Sequence, residues 1–264
     1  MKNTYILAFA VLIVSLLGLG VYAKKHYSNV SIGKIVKKIS PKKERKKIFR
    51  KPIYSKPHIE KFSYHGIDIS TYQGTIDWKK LKHPKQGVDI DFIFMRATYG
   101  LMKDKRFSSN WKQATKQKFT IGAYHYYKPN INSTKQANNF FQAVTLQVGN
   151  LPPVVDIEKL PVIQTRTNWR KGIKNFIQLL ENKYGVKPII YSGDYFYRDY
   201  LAIDPYFKKY PRVWIANYQS VLKPKNKWHF WQVSDKEKMY GINGPVDYNV
   251  FHGDSLQFNK LILK

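Results

Sequence analysis

Pro152-Pro153-Val154-Val155-Asp156-Ile157-Glu158 is a short apolar run that ends in two acids one residue apart. Valines behind a proline pair read as a buried strand. Side chains alternate along a strand, so Asp156 and Glu158 point to the same side. Two carboxylates at the end of a buried strand raise each other's pKa and resist burial. The arrangement suits chemistry in which one acid keeps its proton near neutral pH while the other stays charged. Cleavage of a glycosidic bond has that requirement. The plain alternative is a pair of strand-end acids in solvent, and the flanking sequence decides between the two.

Working outward, short apolar runs recur at 65–70, 92–98, 120–127, 187–192, 213–218, 229–234 and 246–251, which with 152–158 makes eight candidate strands. Segments of helical character fill 107–118, 134–147 and 168–184, with Thr167 or Asn168 as a cap and Gly185 as a stop for the last. Strand–helix alternation implies a parallel sheet. The expected fold is α/β: an irregular (β/α) barrel of about eight strands, TIM-barrel-like, with helices mainly around the first five. Barrels of this kind gather functional groups at the carboxyl ends of their strands. Asp68, Thr98, His125, Asp156 and Glu158 occupy such positions, whereas Asp247 falls near the start of the last strand.

The chain has 264 residues and a formal charge of +29, with 20 Tyr, 6 Trp and no Cys. Disulfides, thiolate metal sites and cysteine nucleophiles are therefore excluded. Residues 4–23 contain no charged side chain and are long enough to span a bilayer as a helix. Val21-Tyr22-Ala23 also offers small residues for signal cleavage. Residues 1–23 thus read as a transmembrane anchor or a signal peptide, and both place the chain in the export pathway. The heavier basic flank after the run opposes that orientation for an uncleaved anchor. Residues 24–61 hold fourteen Lys or Arg against two Glu and read as an extended basic linker. Its run Lys42-Lys43-Glu44-Arg45-Lys46-Lys47 suits an anionic membrane or wall polymer. Residues 62–264, the expected catalytic barrel, are also basic, with thirty-one Lys or Arg against fifteen acids. Such a field favours polyanions without choosing among them.

Six segments in order resemble one family. They are His65-Gly66-Ile67-Asp68-Ile69-Ser70-Thr71-Tyr72-Gln73-Gly74, Gly122-Ala123-Tyr124-His125-Tyr126-Tyr127 and Leu151 through Glu158. Val213-Trp214-Ile215-Ala216-Asn217-Tyr218, Phe230-Trp231-Gln232-Val233-Ser234 and Gly241 through Asn249 complete the set. Together they resemble family 25 glycoside hydrolases, the Chalaropsis-type lysozymes, over about residues 64–252. The resemblance implies a flattened barrel with some antiparallel strands and N-acetylmuramidase activity on peptidoglycan. It implies an acidic cluster of Asp68, Asp156, Glu158 and Asp247. Within that cluster Glu158 falls on the general acid, and Asp156 on the residue that orients the substrate acetamido group. Tyr72, Tyr124, Tyr126, Trp214, Tyr218 and Trp231 are candidates to line a sugar cleft, with core packing as the alternative for each. Members of the family often carry Thr-Glu-Gly where this chain has Thr98-Tyr99-Gly100, so one cleft acid is replaced by an aromatic.

No cofactor and no metal are expected, because the acids lack the dense oxygen pattern of a hard-cation site. No G-x-S-x-G elbow is present. The rival from another class is a catalytically inactive barrel that binds wall glycan as a scaffold. A nucleic-acid partner is not expected, because the aromatics fall within the six segments and not along a basic groove.

Overall fold

A computed structural model describes residues 59–82, 89–219, 224 and 226–264. Nine strands form its sheet: β1 (His65–Ile69), β2 (Phe92–Tyr99), β3 (Met102–Lys103), β4 (Thr120–Tyr126), β5 (Val154–Asp156), β6 (Ile189–Gly193), β7 (Val213–Ala216), β8 (Phe230–Glu237) and β9 (Val246–Phe251). They follow the order β1-β9-β8-β7-β6-β5-β4-β2-β3, and β1 also pairs with β2. That extra pairing closes eight strands into a mixed barrel and leaves β3 as a two-residue hairpin arm on β2. The expected eight-strand α/β barrel is therefore present.

Neighbours run parallel around the barrel from β1 through β2 and β4 to β8. Strand β9 is antiparallel to both β8 and β1. This single reversal explains Asp247. The start of an antiparallel strand lies at the same end of the barrel as the finish of its parallel neighbours. Asp247 is consequently paired directly with Asp68.

Three of the helices are long and sit where expected. After α1 (Trp78–Lys82), they are α2 (Phe107–Lys116), α3 (Ser133–Ala143) and α4 (Arg166–Tyr184). In α4, Trp169, Ile173, Phe176, Ile177 and Leu180 are buried, a stripe at helical spacing that faces the sheet. Its N-cap is Thr165, whose side chain accepts from Asn168 N–H, two residues ahead of the expected cap. Gly185 ends it in the left-handed region at φ 67, where a side chain would be strained. Each large apolar side chain buried in this layer contributes about 1.5–3 kcal/mol.

The barrel interior is a second core made of inward-facing residues. Phe94 stacks on Trp214 at 4.7 Å and meets Phe230 at 5.2 Å and Phe92 at 5.7 Å. Two inward positions must be glycine to admit these rings. A Cβ on Gly66 would lie 2.3 Å from the Phe92 ring, and one on Gly122 would lie 2.6 Å from Phe94. After α5 (Asp194–Phe196) and α6 (Pro205–Lys208), the last helix α7 (Ser255–Asn259) closes the base. Its Phe258 stacks on Tyr64 at 4.2 Å and contacts Phe251 and Phe92.

Ile59–Lys61, assigned from sequence to the linker, forms a 3-10 turn with Ile59 buried. The candidate anchor at 4–23 and the linker from 24 to 58 lie outside the described residues. Among the described residues no helix is long and apolar enough to cross a membrane.

Candidate active site

Alternation along the strands divides the barrel interior in two. Phe and Trp fill its lower part, and the next inward positions are polar. Asp68, Arg96, Tyr124, Tyr126, Asp156, Glu158, Tyr191, Gln232 and Asp247 line one cavity of about 200 Å³ at the carboxyl mouth. Tyr72 and Gln73, on the 3-10 turn Thr71–Gln73 after β1, form part of its rim.

The two acids of the opening segment share a side because the extended backbone continues past β5. Tyr127 N–H donates to Asp156 O at 2.9 Å, and Ile157 N–H donates to Tyr191 O at 2.9 Å. Ser192 Oγ donates to Ile157 O at 2.7 Å. Ile157 is thereby held outward against the helices, and both carboxylates turn into the cavity.

Asp68 sits at the centre of a directed network. Its Oδ2 accepts from Gln232 Nε2 at 2.7 Å and from Asn249 Nδ2 at 2.8 Å. Each amide is oriented by what its oxygen accepts. Trp214 Nε1 donates to Asn249 Oδ1 at 2.8 Å. The hydroxyls of Tyr191 and Tyr218 donate to Gln232 Oε1 at 2.7 and 2.6 Å. The Tyr191 hydroxyl also lines the cavity beside the Glu158 carboxyl.

All four acids are pushed toward their protonated forms. Burial raises Asp68 to about 6, against the opposing bonds from Asn249 and Gln232. Burial, the Asp68 charge and a shared hydrogen bond with Asp68 raise Asp247 to about 8. Of these two carboxyls, paired across β1 and β9, Asp247 is pushed further toward its protonated form. Glu158 is exposed at the mouth, yet partial desolvation by the cleft walls and the nearby Asp247 raise it, opposed by Tyr191 and Lys159. The upward push on Asp156 is strong, from burial first and then from Glu158 and Asp68, with Arg96 as the opposing cation. Asp156 Oδ1 is buried and has no hydrogen-bond partner in the protein. In the free cleft both Asp156 and Glu158 are thus pushed toward the protonated form.

A model of glycosyl hydrolases family 25 matches residues 67–242. The chain belongs to glycosyl hydrolase family 25. It is 40% identical to the uncharacterized protein YegX of Escherichia coli (strain K12) over 197 residues, covering 73% of this chain and 71% of that one. It is 29% identical to lysozyme M1 of Streptomyces globisporus over 204 residues, or 72% and 68% of the two chains. A family 25 glycosyl hydrolase structure from Bacillus anthracis superposes with a TM-score of 0.69 at 31% identity, covering 78% of this chain and 96% of that one. The protein is a glycoside hydrolase of the lysozyme class.

Most residues singled out from sequence meet in this family 25 cleft: the four acids, Tyr72, Tyr124, Tyr126 and Trp214 all line it. Trp214 is almost fully buried and forms its floor. Tyr218 is half exposed and reaches the network through Gln232. Trp231 is corrected. It lies between the inward Phe230 and Gln232, so alternation turns it outward. There it is fully buried, and its Nε1 donates to Asn217 O at 2.8 Å.

Thr98 and His125 also face the helices. A bulge at Ala97 shifts the β2 register, and Thr98 then pairs with His125. Thr98 Oγ1 and His125 Nδ1 are 2.6 Å apart, and His125 Nε2 is 3.1 Å from Gln136 Oε1. The Gln136 oxygen only accepts, so Nε2 carries the proton and Nδ1 accepts from Thr98. Burial lowers His125 to about 4, which keeps it neutral.

Arg96, Tyr191, Gln232 and Asn249 are site residues that motif reading passed over. Inward parity was the available signal. Arg96 follows Phe92 and Phe94 at steps of two, and Gln232 follows Phe230. Arg96 is clamped by Asp104, with Nε and Nη2 both 2.9 Å from Oδ2. Its guanidinium lies over the rings of Tyr72 and Tyr99 at 5.0 and 5.2 Å. Tyr99 thus packs against a cation at the edge of the cleft.

Proposed function

We propose that this protein is a peptidoglycan muramidase that hydrolyses the β-1,4 bond between N-acetylmuramic acid and N-acetylglucosamine. Glu158 is the general acid. Desolvation by the cleft walls holds its carboxyl above the ordinary range, which keeps a proton available for transfer to the leaving oxygen. Asp156 receives the acetamido N–H of the substrate and stabilises the charge of an acetamido-assisted intermediate.

The observation that carries this reading is the unpartnered Asp156 Oδ1 beside Glu158 in a cavity walled by tyrosines. A buried acceptor without a donor is unfavourable. A substrate N–H would supply the donor and draw Asp156 into its charged form when substrate is bound. Asp68 and Asp247 then act as a proton-sharing pair that holds the network in place. The chain would work outside the cytoplasm, either anchored through residues 4–23 or released after cleavage near Ala23. Its basic linker would contact anionic membrane or wall polymer.

The test compares wild type with Glu158→Gln on purified peptidoglycan, by turbidity loss and by analysis of the released muropeptides. New reducing muramic acid ends are expected from wild type only. Their absence from wild-type digests would leave a glycan-binding barrel. Their persistence in the variant would remove Glu158 from the acid role.

A further inference from the structure

A second cavity, of about 580 Å³, opens at the opposite mouth of the barrel. It lies between the start of β8, the end of β9 and the segment that follows α7. Lys227, His229, His252 and Lys260 line it together with Trp228 and Leu261, and among the described residues no Asp or Glu does.

Its two lysines and the Gln257 amide present donors to it. Gln257 Oε1 accepts Asp254 N–H at 3.0 Å, which leaves the amide NH₂ of Gln257 to donate. His229 Nδ1 is buried without a hydrogen-bond partner in the protein. Burial, and then Lys227, Arg212 and His252, hold the His229 imidazole below its ordinary pKa, which favours the neutral ring. The other wall is aromatic. Trp228 lies 4.7 Å from His252 and 5.7 Å from Phe62, at ring centroids. Lysine and amide donors around a concave, partly apolar pocket that no described acid lines are complementary to a ligand that supplies acceptors and an apolar edge. One carboxylate could satisfy few of these donors, whereas a phosphate group carries more acceptor oxygens. A polyol or sugar attached to it would rest against Trp228.

We propose that this pocket is a second binding site, separate from the hydrolytic cleft, for a phosphate group carried on a polyol or sugar. Such a group occurs both in soluble phosphorylated polymers and in lipid headgroups. Occupancy would hold the barrel by its base and leave the carboxyl mouth free to engage glycan.

The test is calorimetric titration of the full chain with glycerol 3-phosphate, inorganic phosphate, glycerol and glucuronate in low salt. Saturable binding of glycerol 3-phosphate is expected. It should weaken at least tenfold in Lys227→Ala/Lys260→Ala and stay unchanged in Asp156→Asn. Both lysines are exposed, so a folded variant is expected, and circular dichroism checks it. Sedimentation with phosphatidylglycerol and phosphatidylcholine vesicles distinguishes the sources. A loss of phosphatidylglycerol binding in the double variant assigns the site to a lipid headgroup. Unchanged vesicle binding, together with lost glycerol 3-phosphate binding, assigns it to a soluble polymer. Absence of saturable binding, equal affinity for glucuronate, or full affinity in the double variant would overturn the proposal.

Discussion

The two mouths of this barrel are built from the same strands yet have opposite chemistry. At the amino-terminal mouth, inward positions carry Phe92, Phe230 and Phe251, and α7 presses Phe258 onto them. At the carboxyl mouth, inward positions a few residues along carry Asp68, Asp156 and Asp247. One end spends its inward positions on packing. The other buries like charges, which destabilises the fold and loads the site with protons. The contrast shows how a single alternation supplies both a core and a cleft, with the boundary set by which residue follows the aromatics on each strand.

Substitutions at the two ends should therefore fail differently. The largest effect is expected from Glu158→Gln: about a 10³-fold loss of hydrolysis rate, from removal of a general acid, with unfolding curves close to wild type. A comparable loss of stability would make Glu158 a structural residue. At the other end, Phe258→Ala should cost about 3–5 kcal/mol by opening the base of the barrel, as measured by denaturant unfolding. A change below 1 kcal/mol would mean that α7 is not part of the core.

The third prediction concerns pH. Asp247 is raised from 3.8 to about 8 and Asp68 to about 6, so the folded state binds more protons than the unfolded chain between roughly pH 4 and 8. Their contribution to stability is fully present below pH 4 and is lost as pH rises through about 6 and then about 8. Asp247→Asn keeps a donor toward Asp68 and removes one titration. The fall in Tm from pH 5 to pH 9 should be smaller in this variant than in wild type. Equal slopes would show that the pair does not share a proton. The smallest effect belongs to Tyr72→Ala. Tyr72 is 82% exposed, so stability should change by about 0.5 kcal/mol or less, while KM for peptidoglycan rises severalfold. An unchanged KM would place Tyr72 outside the substrate path.

Much of the barrel was legible because its strands are short apolar runs separated by helices of clear period. The two-residue β3 was not, since no periodicity exists over so short a span. The strand pattern alone did not bring Asp247 to the other acids; only the family resemblance placed it among them. Periodicity does not say which strand runs backwards, and only that reversal brings the start of β9 to Asp68. Trp231 and His125 show a related difficulty. Alternation separates two faces but does not say which one looks inward. On β8 the answer is fixed by Phe230 packing against Phe94, and on β4 by Gly122 making room for the same ring. Arg96 was missed because its significance lies in partners from elsewhere in the chain, Asp104 and the rings of Tyr72 and Tyr99.

The pairing of β1 with β9 has a consequence for how the protein folds. Asp68 is linked to Asn249 across 181 residues of chain. Contacts between segments so far apart carry a large loop-closure entropy and form late. The parallel strands can assemble progressively along the chain, but the acidic network stays incomplete until β9 arrives to close the ring. Hydrolytic competence therefore depends on that closure, because removal of β9 takes both Asp247 and Asn249 away from Asp68.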